Sequence, residues 1–327
     1  MLRKSSKLSL LIASLSLAGS IIMSACGGPA ASTPVPTNTT GTTEAATATT
    51  GTTDTATATT ESGGGGGGNF SGDTIKIGID LPVSGGDATI GLPTRNGMEL
   101  AIRQANENGG VKVAGKTYKL EMYFLDDVPP GGTSHDPAQS SKNADSFIAD
   151  DSVLVVLGPF NSSNAQAMMP KLNQAGLCQI SPSNTNETLT KPEYGKTKDY
   201  RPTGKVTYFR VAATDDIQGP AAADYAYNEL KLTKVYVLDD TETYGKGIAD
   251  NFERRFKELG GTSLGHDGVP KGTTDFSSIM TKVAATGPDF VYYGGTSSNN
   301  IPLARKAMKS AGLDVPLIGG DGIQDAE

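Results

Sequence analysis

The stretch VLVVLGPFNSSNAQAMMPKLNQAGLCQIS, residues 153–181, decides the fold because it contains one complete strand–helix–strand unit. Residues 153–157 are a run of aliphatic, largely β-branched side chains, which predicts a buried strand. A polar loop leads from this run into a helical pattern over residues 165–174, and a second apolar run follows at residues 178–180. Strands that alternate with helices in this way predict parallel βαβ units.

The same alternation extends from about residue 74 to the end of the chain. In residues 95–108, apolar side chains recur on one helical face and a pair of glycines stops the helix. Asp136 is predicted to cap a second helix that begins with Pro137, and a third helical pattern covers residues 244–259. The chain is therefore predicted to be a doubly wound α/β protein. The remaining runs that predict strands are residues 75–81, 118–125, 208–211, 235–238, 290–293 and 317–318.

This alternation is interrupted between residues 187 and 207 by a polar stretch that contains prolines. The interruption predicts a boundary between two lobes of ordinary domain size. We place the first α/β lobe at residues 73–202 and the second at residues 203–327. The second lobe stops directly after its last predicted strand and a Gly-Gly-Asp turn, so we expect it to be unfinished.

The N-terminus has the order of residues that is typical of a bacterial lipoprotein export signal. Basic residues precede an apolar run, and small residues and a cysteine follow it. We predict a signal peptide over residues 1–25 and a lipid anchor at Cys26, which would hold the protein at a membrane outside the cytoplasm. An ordinary secretory signal with an incidental cysteine is the alternative. Residues 26–72 are rich in Thr, Ala and Gly and lack the large apolar side chains of a core, which predicts a disordered linker.

The charge of the chain argues against nucleic acid as a partner. The formal net charge is −7, and the predicted signal peptide contains three basic residues and no acidic ones, so its removal leaves a still more acidic protein. Proteins that bind nucleic acid usually present a basic stripe, and none is visible here. The same argument makes an anionic membrane surface an unsuitable partner for the folded part.

One motif suggests an enzyme. Residues 261–265 read Gly-Thr-Ser-Leu-Gly, the Gly-x-Ser-x-Gly pattern of hydrolases, and His266 follows. A nucleophile elbow needs a strand before the serine and a helix after it, whereas here a helical pattern precedes and a strand-like run follows. The chain has two histidines, His135 and His266, and both lie in polar surroundings where we expect solvated side chains. We predict no catalysis, no cofactor and no metal site.

Two polar loops are the candidate ligand site, because ligands of open α/β sheets bind at the carboxyl ends of the strands. The first loop, residues 158–164, offers hydroxyl and backbone N–H groups at the start of a helix. These groups suit a carboxylate, but Ser162 or Ser163 could equally cap its own helix. The second loop, residues 181–187, is a polar turn after the next strand.

Residues 158–190 resemble the branched-chain amino acid binding proteins of ABC importers, the Leu/Ile/Val type of type I periplasmic binding protein. The resemblance rests on the serine-rich loop, on Ile180-Ser181-Pro182 and on residues 186–190, Asn-Glu-Thr-Leu-Thr. It implies two doubly wound, Rossmann-like lobes with a ligand cleft between them. Members of the family continue past the position of Asp321, so the resemblance also implies that both lobes lack a C-terminal part. Further motifs follow in the order of the family: Asn108-Gly109-Gly110-Val111, Gln218-Gly219-Pro220, Tyr244-Gly245-Lys246-Gly247 and Asp289-Phe290-Val291-Tyr292-Tyr293-Gly294-Gly295.

The resemblance also implies a binding site. Ser162 and Thr185 would hold the α-carboxylate of an amino acid. The backbone of Ser183 and the hydroxyl of Thr185 would share the ammonium group with Asp321, since an anion is the expected partner of an ammonium in a closed cleft. Tyr244 would cover the ligand; the alternative is an aromatic side chain that only packs on its own lobe.

Two positions depart from the family pattern. Thr296 stands where a tyrosine is common, and Ile90 stands near a place that often holds an aromatic residue. Both would shape the pocket for the ligand's side chain, so the identity of the ligand stays open. The resemblance implies a monomeric solute receptor that delivers a small amino-acid-like ligand to an ABC permease and its ATPase. The alternative is a sensor with the same fold that signals ligand occupancy to a membrane protein.

Overall fold

The computed structural model describes residues 72–324, which form two β-sheets and eight α-helices. The predicted signal peptide, Cys26 and the predicted linker up to residue 71 lie outside the described residues. No helix within residues 72–324 is long and apolar enough to cross a membrane.

Strands and helices alternate along the chain, as the apolar runs predict. The strands are β1 Thr74–Leu81, β2 Val111–Val113, β3 Lys116–Asp126, β4 Val153–Leu157, β5 Cys178–Ser181, β6 Tyr208–Arg210, β7 Lys234–Asp239, β8 Thr262–Gly268, β9 Phe290–Gly294 and β10 Leu317–Gly319. The helices are α1 Ala88–Glu107, α2 Pro137–Ile148, α3 Ser162–Ala175, α4 Thr197–Tyr200, α5 Asp215–Asp224, α6 Thr243–Glu258, α7 Ser277–Thr286 and α8 Ile301–Ser310.

The first sheet has six strands in the order β2-β3-β1-β4-β5-β6. All neighbours pair in parallel except β2 and β3, which are antiparallel. β6 pairs with β5 although it follows residue 203, so the first sheet continues past the boundary expected from sequence. We call this sheet and the helices packed on it the first lobe.

The second sheet has four parallel strands in the order β10-β9-β7-β8. Its central strands β7 and β9 are buried on both faces, and the rings of Phe252 and Tyr292 stack with centroids 3.7 Å apart. Burial of each large apolar side chain contributes roughly 1.5–3 kcal/mol, so these strands hold the sheet together. We call this sheet, with α5–α8, the second lobe.

The central strand of the first lobe is buried on both faces. Ile75, Ile77 and Ile79 point to one face and pack with apolar residues of α1 and β3. On the other face, Gly78 leaves room for the ring of Phe147, which would lie 3.0 Å from a Cβ at that position. Asp80 follows on the same face and is bonded by polar groups of α2. Helices therefore cover both faces, as a doubly wound sheet requires.

Several local predictions are confirmed by the helix ends. Asp136 accepts a hydrogen bond from the backbone N–H of Gln139 at 2.8 Å, with Pro137 as the first residue of α2. α1, however, begins at Ala88, seven residues before the predicted start. Gly91 and Pro93 are weak helix formers, so the first turns of α1 are not recognisable in the sequence. Gly91 is nevertheless required, because a Cβ there would collide with the Pro82 carbonyl oxygen.

The expectation that both histidines are solvated is wrong. His135 is 3% exposed, and its Nδ1 lies 2.9 Å from a carboxylate oxygen of Asp87. His266 lies on β8 between two carboxylates, with Nε2 2.8 Å from Asp239 and Nδ1 3.0 Å from Glu253. The hydrogen bond to Asp239, and then that to Glu253, raise the pKa of His266. Carboxylates brought from distant parts of the sequence bind both rings, and a local sequence window does not reveal such partners.

Candidate functional site

The first wall of the site is the loop between β4 and α3. Gly158 has φ +116°, and a Cβ there would lie 2.2 Å from the carbonyl oxygen of Asp80, so only glycine fits. This tight turn ends β4 and lets α3 begin at Ser162. The first backbone N–H groups of a helix have no partner within the helix and favour an anion.

The loop after β5 is fixed against this helix start by side-chain hydrogen bonds. The hydroxyl of Ser181 donates to the Pro159 carbonyl at 2.9 Å, and the hydroxyl of Ser183 donates to the Phe160 carbonyl at 2.7 Å. Asn184 donates to the same Phe160 carbonyl at 2.7 Å. Because its hydroxyl proton is donated to Phe160, Ser183 has no side-chain donor left for a ligand, and its backbone carbonyl is available for the role that the resemblance implies.

Thr185 is held in place from the neighbouring strand. Arg210, the last residue of β6, donates from Nη1 to the carbonyl oxygens of Asn184 and Asn186 at 3.0 and 2.8 Å. The hydroxyl of Ser162 accepts from the backbone N–H of Asn186 at 3.4 Å. These bonds on either side of Thr185 orient its hydroxyl relative to the start of α3.

The second wall comes from the second lobe. The hydroxyl of Tyr244, in the first turn of α6, donates to a carboxylate oxygen of Asp321 at 2.7 Å and accepts from the Gly322 backbone N–H at 2.9 Å. Burial, and then the Asp321 charge, raise the pKa of Tyr244, so its hydroxyl stays protonated. A Cβ at Gly322 would lie 2.6 Å from the Tyr244 ring, which explains the glycine there.

The two walls border one cavity, whose empty space of about 270 Å³ includes the part open to solvent. All six residues proposed from sequence line it, and three further residues complete the lining. The six are Ser162, Ser183, Thr185, Tyr244, Thr296 and Asp321, and the three that sequence reasoning missed are Phe160, Asn161 and Gly322. Ile90, in contrast, lies on α1 and is not among the lining residues. One wall is neutral and rich in hydroxyls, and the other carries a carboxylate.

A further carboxylate, Asp215, was also missed, and this one is buried. It is the first residue of α5, and its backbone N–H donates to the Thr185 carbonyl at 2.9 Å. Neither of its carboxylate oxygens has a hydrogen-bond partner of ordinary geometry among the described residues. Burial raises the pKa of Asp215 to about 8, and the nearby Thr185 side chain opposes this only in part. The available signal was Thr-Asp-Asp at residues 214–216, a polar segment just after β6.

Hydrogen bonds cross between the lobes on one edge of the cavity. Asn186 donates to the Thr243 carbonyl at 2.9 Å, and Thr243 in turn donates its hydroxyl to Gln166 at 2.9 Å. The side chain of Asn251 donates to Glu187, also at 2.9 Å. The lobes are therefore in contact, and the cleft between them is closed.

The opposite edge is joined by a charged group. Lys271 of the second lobe donates to the carbonyl oxygen of His135 in the first lobe at 2.9 Å. Its ammonium also lies 3.4 Å from a carboxylate oxygen of Glu242, which holds the lysine in place. Both edges thus contribute to closing the cavity.

Two lobes that close on a small cavity with one neutral and one acidic wall are the architecture of a solute receptor. Residues 74–326 match the periplasmic binding protein family. The chain belongs to that family. Its membership agrees with the α/β fold described above and with the resemblance seen in the sequence.

Several known proteins are similar to this periplasmic binding protein. The Leu/Ile/Val-binding protein homolog 1 of Brucella abortus is 33% identical over 253 residues, which are 77% of this chain and 62% of the relative. The chain therefore spans less than two thirds of the length of the curated relatives it matches. Among solved structures, LivJ of Streptococcus pneumoniae in complex with isoleucine is 28% identical, with a TM-score of 0.63 over 76% of this chain and 64% of LivJ. The leucine binding protein LivK of Thermotoga maritima is 25% identical, with a TM-score of 0.65 over 77% and 64% of the two chains.

Proposed function

We propose that this protein is an extracytoplasmic solute receptor of an ABC importer, which captures an α-amino acid between its lobes. The proposal rests on one observation: a closed cavity has the start of a helix and hydroxyl groups on one wall and a carboxylate on the other. An α-amino acid carries the complementary groups, a carboxylate and an ammonium, on a single carbon atom.

The first wall would bind the ligand's carboxylate. Ser162 is the first residue of α3, so its hydroxyl and backbone N–H lie where the helix favours negative charge. Thr185 lines the same cavity and supplies a second hydroxyl. The described lining contains no Lys or Arg, so neutral donors would carry out this recognition.

The second wall would bind the ammonium. Asp321 lines the cavity and presents a carboxylate whose other partner is the Tyr244 hydroxyl. The backbone carbonyl of Ser183 would accept a further hydrogen bond. Asp215, close to Thr185, adds a buried carboxylate that becomes easier to ionise when a positive charge is nearby.

Ligand binding would be coupled to closure of the lobes. The first wall and the acidic wall belong to different lobes, so both ends of the ligand are held only when the cleft is shut. The bonds from Asn186 and Lys271 across the cleft would then form together with the ligand contacts. A permease that recognises the closed form would thereby distinguish loaded from empty receptor.

The anchor and the transport partners are part of the same proposal. The family implies a location outside the cytoplasm, and a lipid on Cys26 would keep the receptor near a membrane permease and its ATPase. The relatives support the ligand class, since they include proteins named for Leu/Ile/Val binding and LivJ in complex with isoleucine.

A thermal-shift screen of the purified protein against amino acids, amides and small organic acids tests this function. We expect at least one amino acid to raise the melting temperature, and Asp321→Asn to remove the shift. Asp314→Asn is the matched control, because Asp314 is a second-lobe carboxylate whose side chain is 90% exposed. A receptor that no amino acid stabilises, or an Asp321→Asn variant that binds as well as the control, would contradict the proposal.

A further inference from the structure

Under the proposed function, four of the nine lining residues would contact the α-carboxylate and α-ammonium groups of the ligand, and a fifth, Tyr244, holds Asp321. The residues that remain would surround the ligand's side chain and so decide which amino acid is bound. They are Phe160, Asn161, Thr296 and Gly322. Two of the three side chains in this group are polar.

Asn161 occupies an N-cap position without capping its helix. It directly precedes α3 and has an extended backbone, yet its side chain makes no capping hydrogen bond. The residue is only 6% exposed, and its carboxamide oxygen is buried without a hydrogen-bond partner among the described residues. A buried acceptor left unpaired costs about 1–3 kcal/mol, so this arrangement needs an explanation.

Other asparagines near the cavity differ in how their side chains are bonded. Asn186 also precedes a short helix, and its side-chain oxygen accepts from the Thr188 backbone N–H at 3.1 Å. Asn184 uses both ends of its side chain, since it donates to the Phe160 carbonyl and accepts from the hydroxyl of Tyr208 at 2.8 Å. The side-chain oxygens of Asn164 and Asn299 are also buried without a partner among the described residues, but of these three asparagines only Asn161 lines the cavity.

The rest of this group supports a small polar side chain. Thr296, only 4% exposed, adds a hydroxyl from the second lobe that lies 2.8 Å from the hydroxyl of Ser298. Gly322 has no side chain, and Phe160 offers an apolar surface to the ligand's carbon atoms. The small volume of the cavity favours a small amino acid over a large one.

We propose that Asn161 selects amino acids whose side chain carries a neutral hydrogen-bond donor, a hydroxyl or a carboxamide. This inference rests on the proposed function and names the ligand class of that site. A donor on the ligand would satisfy the carboxamide oxygen, whereas an aliphatic side chain would leave it unpaired. Sites built around a polar partner reject analogues that lack it much more strongly than apolar pockets reject an extra group.

Calorimetric titration of the unaltered protein is the first test. We expect serine, threonine, asparagine or glutamine to bind at least about tenfold more tightly than leucine, isoleucine or valine, because loss of one buried hydrogen bond costs about 1–3 kcal/mol. Tighter binding of an aliphatic amino acid would overturn the inference and leave the proposed function standing. If no amino acid of either class binds, both fail.

The second test exchanges the side chain. Asn161→Leu should weaken binding of the preferred polar ligand about tenfold or more and leave aliphatic ligands within about threefold. Since Asn161 makes no capping bond, the variant should keep the start of α3. Asn161→Ser, which replaces the carboxamide by a hydroxyl that can also accept a hydrogen bond, should recover part of the preference. Asn96→Leu, an exposed site on α1, is the control. Equal losses for both ligand classes, or no change for either, would overturn the role of Asn161.

Discussion

The two walls of the cavity differ in how they are built. On the first, Ser183 and Asn184 are tied to the Phe160 carbonyl, and Arg210 fixes the loop from the neighbouring strand. On the second, Asp321 is oriented by a single Tyr244 hydroxyl and by Gln218, whose side-chain oxygen accepts from the Asp321 backbone N–H at 3.1 Å. The first wall is uncharged and is fixed by several hydrogen bonds, whereas the second wall carries a carboxylate and is fixed by only a few.

Under the proposed function the two walls would bind different groups of the ligand, the first its carboxylate and the second its ammonium. A neutral wall binds a carboxylate only if its donors are already in place, which explains the many bonds within the first lobe. A carboxylate attracts an ammonium mainly through its charge, so a charged wall needs fewer hydrogen bonds to hold it in position. Substitutions in the two walls should therefore change ligand affinity and stability in different ways. Four predictions test this difference.

Of these four, the largest effect is expected at Asp215, the first residue of α5 in the second lobe, whose backbone N–H donates to the Thr185 carbonyl of the first wall. Asp215→Asn should weaken amino-acid binding about 10- to 100-fold, because it removes a buried carboxylate near the ammonium. The same change should raise the free energy of unfolding of the empty protein at pH 8 by about 1 kcal/mol, since burial of this charge is unfavourable. Calorimetry and chemical denaturation measure the two effects.

Asp216→Asn is the neighbouring control. The Asp216 carboxylate is bound by Lys191, so we expect this substitution to lower the stability instead. Parallel changes in the two variants would contradict this account of Asp215.

The pH dependence of Asp215 gives a related prediction. Its folded pKa of about 8 lies above the usual value for an aspartate, so its contribution to stability decreases as pH rises from about 4 to about 8. An ammonium nearby favours the ionised form, so binding should release a proton and strengthen between pH 6 and 8. Titrations at pH 7 in buffers of different ionisation enthalpy count that proton. We expect the Asp215→Asn variant to bind the ligand without releasing this proton. If the variant releases as many protons as the unaltered protein, the proton comes from another group.

Thr185 should show the next largest effect. Thr185→Val keeps the shape but removes a hydroxyl that lines the cavity, and we expect about tenfold weaker binding. The loss should be similar for ligands of either side-chain class, because under the proposed function this hydroxyl would contact the α-groups. Binding constants for one polar and one aliphatic amino acid measure it. A loss confined to one class would move Thr185 into the side-chain pocket.

The smallest effect is expected at Ser183. Ser183→Ala removes only the hydroxyl that donates to the Phe160 carbonyl, so affinity should change less than about threefold. Stability should fall by about 1 kcal/mol, because the carbonyl loses one of its partners. Chemical denaturation measures the change in stability, and calorimetric titration of the same preparation measures the change in affinity. A large loss of affinity with unchanged stability would show that the ligand contacts this hydroxyl directly.

Sequence alone predicts the parts that depend on local pattern. The apolar runs place nine of the ten described strands once the strand-like run after residue 259 is included, and Asp136-Pro137 marks the start of α2. β2 is missed because it has only three exposed residues, and its pairing depends on a tight turn at Ala114 and Gly115, both with positive φ. Such short pairings are not visible in hydrophobic periodicity.

The site divides in the same way. The strand-end rule and the resemblance select six residues that the fold brings to one cavity. Asp215 and Asn161 are missed because their significance lies in an absence of partners, which only three-dimensional packing reveals. An N-cap asparagine is an ordinary helix signal in sequence, and nothing local indicates that this one makes no capping bond.

The hydrogen bond between Tyr244 and Asp321 has an optical consequence. The chain has no tryptophan and 11 tyrosines, so near-ultraviolet absorption and emission come from phenol rings without an indole background. A phenol that donates to a carboxylate absorbs differently from one that does not. An ammonium that competes for Asp321 should therefore leave a tyrosine difference spectrum, and the receptor would report its own occupancy without a label.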